Sequence, residues 1–467
     1  VTAWQLTTET WWTISGELFA DCSGDGILAP LTGAEFRFGR EGRDEYGESI
    51  APEQADAKTM GLSCLFQARE YDEPRPFIAP EWACEFTRPE DLNGRGVDLR
   101  RTNFWWLEVG GDRDSIHDTE ELRQALLEIA FGVWNYLKNH APNKDEFANW
   151  ELDWQGFLPG KRESRRYVGD HVLTQHDIES GGHFPDLVAY GGWTMDDHFP
   201  AGFHHPENGT THYPTPSPYG IPYRTLYSRN VSNLFCAGRN HSATHVAMSS
   251  TRVMATCSIM GQAAGTAAAI AVREGTTPRG VYEDHLDELR ATLQDDDAWI
   301  PFSTRQVTSE TRDASLAGGG EGLELLRDGH DRPDGESYHG WTGPIGEPVT
   351  LAWDRPRTLT SLRLVFDSDL DRLDPVRGPG FRARNMRHFY ALDAPPWKMP
   401  ETMVRSFRVA VETAEGRTVE VATVEDNHRR LVRVPLSEGE PIRIVRVTPL
   451  STWGDEHARI FSIDAEA

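Results

Sequence analysis

Residues 233 to 272 read NLFCAGRNHSATHVAMSSTRVMATCSIMGQAAGTAAAIAV, and this segment sets the reading of the whole chain. Leu234, Phe235 and Cys236 form a short apolar run suited to a buried parallel strand. Ala237-Gly238-Arg239 then makes a turn in which backbone can approach a ligand with no Cβ in the way. From about Thr251 to Arg273 there is no proline and alanine dominates. Gly261, Gly265, Ala268 and Ala269 recur at helical spacing, which predicts one long helix lying close against a sheet. Its amino end would present unpaired N–H groups and a partial positive charge to a ligand atom that becomes negative. The same pattern serves a helix that only packs closely, and spacing alone leaves both readings open.

Two further blocks belong with it. Asp21-Cys22-Ser23-Gly24-Asp25-Gly26 ends an apolar stretch in a sharp turn, and Lys161-Arg162-Glu163-Ser164-Arg165-Arg166 places four cations in six positions. In this order the three blocks resemble the FAD-dependent oxidoreductase family, two-part Rossmann flavoproteins distantly similar to fumarate reductases, some labelled xanthan-lyase-like. The resemblance runs from the first residues to about residue 275. It implies FAD as cofactor, with the AGR turn at the ribityl chain and Val246 to Met254 passing the isoalloxazine ring. The cofactor residues it implies are Gly24, Asp25, Gly26, Ala237, Gly238, Arg239, Ser250, Arg252, Val253 and Met254. Family members open with a G-x-G-x-x-G turn for the pyrophosphate, and nothing before Asp21 fits one. The expectation is an incomplete flavin domain whose nucleotide half sits on a companion polypeptide. Gly318-Gly319-Gly320-Glu321-Gly322 follows no apolar strand and reads as a flexible joint.

Composition sets bounds. A chain of 467 residues is long enough for two or three domains. Lys+Arg of 47 against Asp+Glu of 73 gives a net charge of −26, which argues against nucleic acid or an anionic membrane as partner. Five cysteines show no CxxC spacing and read as small buried hydrophobes. No run is expected to reach the ~18 apolar residues of a membrane span. The sequence assigns no compartment.

Taken along the chain, residues 1–34 read as the second part of a FAD-binding domain, opening with a hairpin that feeds a buried strand. Residues 35–227 read as an inserted α+β substrate domain, 228–305 as the carboxy-terminal part of the FAD domain with a further amphipathic helix over Val281 to Leu293, and 306–467 as an all-β sandwich. The fold class is therefore α/β, an incomplete Rossmann-type FAD domain with that insertion, plus the sandwich. The strands ending at Asp21 and before Ala237 should share one parallel sheet, because both end in glycine turns. The sandwich, with Leu325 to Gly329, Gly340-Trp341 and alternating strands after them, resembles galactose-binding-like domains, for which bracing is the expected role.

The insertion is rich in aromatics, among them Trp105, Trp106, Trp134, Trp150, Trp193, Tyr219 and Tyr223, whose faces can stack on sugar rings or fill a core. Asp118 and Glu121 predict a capping box for a helix with Leu122, Leu126, Ile129, Val133 and Leu137 on one face. The histidines from His171 to His212, His198 among them, lack a metal-binding frame, so no metal is expected. The prolines around them predict an extended loop that walls or covers substrate. The substrate implied is a polyol or glycoside. Arg252 is the candidate anchor and His245 the candidate base, its alternative being a hydrogen-bonded core histidine. Arg166, in the basic block, and His198 complete the catalytic candidates. Two other readings stay open: a cofactor-free carbohydrate-binding or structural remnant, and a polysaccharide lyase or hydrolase.

Overall fold

The computed structural model describes residues 1–99, 103–369, 389–394, 396, 398–436 and 439–467. They form two compact units. The first holds residues 1–293, 298–301 and, from far along the chain, 389–394. The second holds the remainder.

The first unit opens with a hairpin, Thr2–Gln5 (β1) against Thr10–Thr13 (β2), exposed along both strands. The elements that position the site follow in chain order: strands β3 (Phe19–Asp21) and β4 (Glu108–Val109), helix α1 (Thr119–Asn135), strands β5 (Met195–His198), β6 (Thr210–Tyr213) and β7 (Leu234–Cys236), and helices α2 (His245–Thr251) and α3 (Met254–Glu274). Strands β3 and β7 form a parallel pair with Leu234 opposite Phe19 and Cys236 opposite Asp21, as their glycine-turn endings predict. The other sheets of this unit are small and mostly antiparallel. One of them gains a parallel edge strand from Phe389–Tyr390, which pairs with Phe66–Glu70. The Phe389 ring packs 5.9 Å from Phe66 and 5.4 Å from Phe104.

Several expectations are corrected here. The helix predicted from about Thr251 to Arg273 is present as α3, starting three residues later, and a second helix that the sequence did not predict, α2, precedes it: Arg252 closes α2 and Val253 turns extended to begin α3. α2 starts at Thr244, whose hydroxyl accepts the Ala247 N–H, an N-cap bond. α3 buries Thr256, Met260, Ala263, Ala264, Ala267, Ile270 and Ala271 in the core. Contrary to the reading of hydropathy above, its mean hydropathy of 1.3 over an 18-residue window meets the length and composition of a membrane span. The α1 stripe is buried as expected, but no capping box forms. Asp118 instead accepts from Arg113 Nε at 2.8 Å, and Arg113 also reaches Glu121 at 2.7 Å. The helix over Val281 to Leu293 is broken at His285 into Pro278–Asp284 and Leu286–Asp295. The histidine-rich loop contains an antiparallel hairpin, β5 against β6, with Asp196 opposite His212 and His198 opposite Thr210.

The second unit is a β-sandwich. One sheet orders Ser315–Ala317, Val349–Arg357, Ile442–Thr452, Val404–Thr413 and Thr418–Val424; the other orders Trp341–Pro344, His457–Glu466, Ser361–Phe366 and Leu431–Pro435. Inward residues such as Leu351, Leu364, Phe407, Val445 and Ile460 alternate along the strands and make its core. The stretch Gly318 to Gly322 is no joint: Glu321 and Thr342 exchange backbone hydrogen bonds of 2.8 and 3.0 Å within this unit.

Candidate active site

The three sequence blocks meet. Asp21, at the end of β3, accepts from Ser23 N and Oγ with one oxygen, and from Leu28 N and the Tyr167 hydroxyl (2.6 Å) with the other. Burial would raise its pKa, but these bonds outweigh burial and lower it. Ala237 N–H and Asn240 Nδ2 donate to the Asp21 carbonyl at 3.3 and 3.0 Å, which joins the AGR turn to the SGDG turn. The Asp25 carboxylate accepts from Lys161 Nζ (2.7 Å), Ser164 Oγ (2.8 Å) and Arg239 (2.9 Å). Gly24 packs on Arg239 at φ +75°, where a Cβ would lie 3.0 Å from the guanidinium. Gly26, at φ +57°, has Arg165 Cβ within 3.1 Å of the same position. Gly238 is at φ +92°, and a Cβ there would meet nothing nearer than Cys257 at 4.0 Å. Its backbone is thus open on that side.

Beyond this turn lie two carboxylate–imidazole–carboxylate arrays. In the first, His198 Nδ1 is 2.6 Å from Glu108 and Nε2 is 3.1 Å from Asp196. In the second, His245 Nδ1 is 2.8 Å from Glu163 and Nε2 is 3.2 Å from Asp197. Alternation along β5 explains the pairing: Asp196 and His198 share a face, and Asp197 points to the other face and to His245. Glu163 and Glu108 are fixed in turn by the N–H groups of Met60 (2.9 Å) and Gly61 (2.7 Å). Arg252 donates to Asp196 Oδ2 at 3.2 Å, and its Nε is buried without a partner. Burial and the neighbouring charge of Arg162 push its guanidinium down to about 10, against the pull of Asp196. Burial opposes charge on His245, yet Glu163 and Asp197 outweigh it and raise the ring to about 10. Burial also opposes charge on Asp196 and Glu108, and the cations beside them lower both.

The residues singled out from sequence fall into distinct places. Arg252, His245 and His198 come together around the Asp196-Asp197 pair. His245, the expected base, lies between two carboxylates that favour its charged form. Arg166 is buried, donating to Glu41 and Ala243 O at 3.2 Å and to Gly39 O, and it lies 3.5 Å from Glu163. It positions those carboxylates from within the buried interior. Ser250 donates to Trp193 O (2.6 Å) and meets the Tyr219 hydroxyl (2.5 Å), so its oxygen is committed to the scaffold. Val253 caps α3, and Met254 is exposed.

Trp106, Trp134, Trp150, Tyr219 and Tyr223 are core. Trp105 stands edge-on to His198 at 5.4 Å, and the Trp193 indole is 3.5 Å from Asp196. Cys22 is exposed, unlike the buried cysteine expected. The residues that sequence reading missed are Glu108, Glu163, Asp196 and Asp197; a usable signal was Asp-Asp-His inside a short alternating strand. Among the described residues, no cluster of His, Cys, Asp or Glu could hold a metal.

The family profile described as FAD dependent oxidoreductase matches residues 1–293. No curated protein matches significantly. Solved structures similar to the chain include CBM32-2 of a GH31 protein bound to GalNAc (12% identity, TM-score 0.24, 33% of this chain and 98% of that one). The family 32 carbohydrate-binding module of Streptococcus pneumoniae EndoD is another (14%, 0.23, 33% and 98%). A third is the family 32 module of C. perfringens NanJ in complex with galactose (11%, 0.23, 34% and 97%).

Proposed function

The chain belongs to the FAD-dependent oxidoreductase family, and from that premise we propose that its first unit oxidises a carbinol of a polyol or glycoside. The observation that carries this reading is Arg252, a buried guanidinium with an unpartnered Nε, set among carboxylate-clamped imidazoles next to the open Gly238 turn. FAD fits the residues present: Gly24, Asp25, Gly26, Ala237, Gly238, Arg239, Val253 and Met254 would hold it, with Ser250 bracing that wall. When bound, FAD supplies the two-electron acceptor. The planar fork of Arg252 holds the substrate oxygen, and Trp105 and Trp193 offer ring faces to its C–H bonds.

Carbinol oxidation would release a hydride pair, for which the bound cofactor would be the acceptor, and a hydroxyl proton, which this chain's own residues must take. The hydroxyl proton passes to the Asp196–His198 pair, which Glu108 backs. His245 stays charged and keeps Asp197 and Glu163 in place, and Arg166 holds Glu163 and Glu41 from behind.

We further propose that a segment carrying G-x-G-x-x-G from outside these residues, on a companion polypeptide or elsewhere in the protein, supplies the pyrophosphate end of the site. Two features support it: β3 pairs only with β7 among the described residues, and Gly261 and Gly265 of α3 face open space. The test is an FAD titration by fluorescence quenching, with and without that segment, followed by anaerobic mixing with a panel of polyols and glycosides. Bleaching of the flavin band is expected. Tight FAD binding by this chain alone would remove that segment, and a colourless protein with sugar affinity would favour a cofactor-free remnant.

A further inference from the structure

Asp196 is the hub of the site, and its contacts lead outward as well as inward. Its Oδ2 faces Arg252, His198 and the Trp193 indole. Its Oδ1 accepts from Thr210 Oγ1 at 2.5 Å and lies 3.2 Å from His212 Nδ1. The β5–β6 register dictates this: residues directly opposite across an antiparallel pair lie side by side, and the opposed pairs here are Asp196 with His212 and His198 with Thr210. Exposure of the side chains rises along the series, from 1% at Glu108 and 2% at His198 to 10% at Asp196 and 52% at His212. A single carboxylate therefore bridges a buried imidazole and one open to solvent. Of the described groups that touch Asp196, His212 alone is more than half exposed, and its imidazole has one ring nitrogen that can accept a proton and another that can donate one.

We propose that His212 is the port through which the Asp196–His198 pair exchanges its proton with solvent, a role that rests on the reaction proposed above. The step balances without a co-reactant. The substrate O–H proton goes to the pair and reaches Asp196 Oδ2 from His198 Nε2; the carboxyl then rotates to bring the protonated oxygen to His212 Nδ1, which accepts the proton as the Nε2–H tautomer and becomes an imidazolium. His212 then gives a proton to water or a buffer base, and Asp196 is again a carboxylate. Thr210 holds Asp196 Oδ1 toward the port by its hydroxyl, whose oxygen also lies 2.8 Å from Asp197 O. His212 touches neither Arg252 nor the AGR turn in any contact described here, so it is a positioning and relay residue and not a ligand for substrate or cofactor.

The decisive measurement needs neither flavin nor substrate. In the full chain labelled with 15N-histidine, exchange of the His198 ring proton with water is followed by NMR in wild type, His212→Gln and, as a control, His204→Gln, whose exposed ring lies against Phe203. His212→Gln should slow the exchange by about tenfold or more, the scale on which one positioned proton-transfer group acts, and His204→Gln should leave it unchanged. His212→Thr, which suits a strand, serves if glutamine does not fold. An unchanged rate in the folded variant, or equal slowing in the control, overturns the port. With a substrate in hand, His212→Gln should lower the rate of flavin reduction with KM unchanged, and free imidazole should restore it; a loss that imidazole does not restore would also overturn the port. If no carbinol reduces the wild-type flavin, the oxidase reading fails while the exchange result still decides the relay.

Discussion

Arg252 is held at one end only. Its terminal nitrogen is on Asp196, and its buried Nε has no hydrogen-bond partner. A lysine would keep the charge and lose the planar fork, so Arg252→Lys should reduce turnover at least about a hundredfold, the usual range for a donor aimed at the reacting oxygen. Flavin content, read from the visible spectrum of the same preparation, should stay close to wild type. Equal losses of both would move Arg252 from the substrate to the cofactor. Arg252 and His245 could be singled out in the sequence because they sit at fixed distances from the AGR turn. Glu108 and Glu163 could not, since a carboxylate in an acidic chain carries no local mark. They matter only because strands far apart in sequence bring them to His198 and His245.

Among the elements, α2 depends on its first residue. Thr244 accepts the Ala247 N–H and donates to Glu48 at 2.7 Å, both in the buried interior. Thr244→Ala removes the cap, which is worth about 1–2 kcal/mol, and takes a donor from Glu48, whose other oxygen is already unpartnered. Urea unfolding should show a loss at the upper end of that range, and Thr244→Ser should recover most of it; an alanine variant as stable as wild type would show that Glu48 finds another donor. Strands β3 and β7 were legible because short apolar runs ending in glycine turns leave few alternatives. The break between α2 and α3 was not legible, because Thr251-Arg252-Val253-Met254 contains neither proline nor glycine and the interruption is set by where Arg252 must point. The β5–β6 hairpin was hidden for a related reason: the prolines lie around it, and the polar pattern of Asp196, Asp197 and His198 reports a site and not a surface.

For the whole molecule, two buried histidines give stability a dependence on pH from both sides. Burial and the charge of Arg166 push His241 down to about 3. The unfolded chain, titrating near ~6.5, therefore binds a proton that the folded chain refuses. The contribution of His241 is complete above ~6.5 and is lost as pH falls toward its folded value. His245 has the opposite sign: raised to about 10, it stabilises fully below ~6.5 and loses that contribution as pH climbs to its folded value. The urea midpoint should peak near neutrality and decline both ways. His245→Gln should lower the peak and flatten the alkaline limb while sparing the acid one; an alkaline limb unchanged in this variant would show that the ring is neutral in the folded protein. The strand Phe389–Tyr390 adds a further dependence, since it belongs to the first unit although the chain on both sides of it belongs to the second. A polypeptide ended after Pro301 should melt below the full chain, and equal melting temperatures would make the strand dispensable. In genealogical terms, a single crossover that moved the β-sandwich as a cassette would strip an edge strand from the unit left behind.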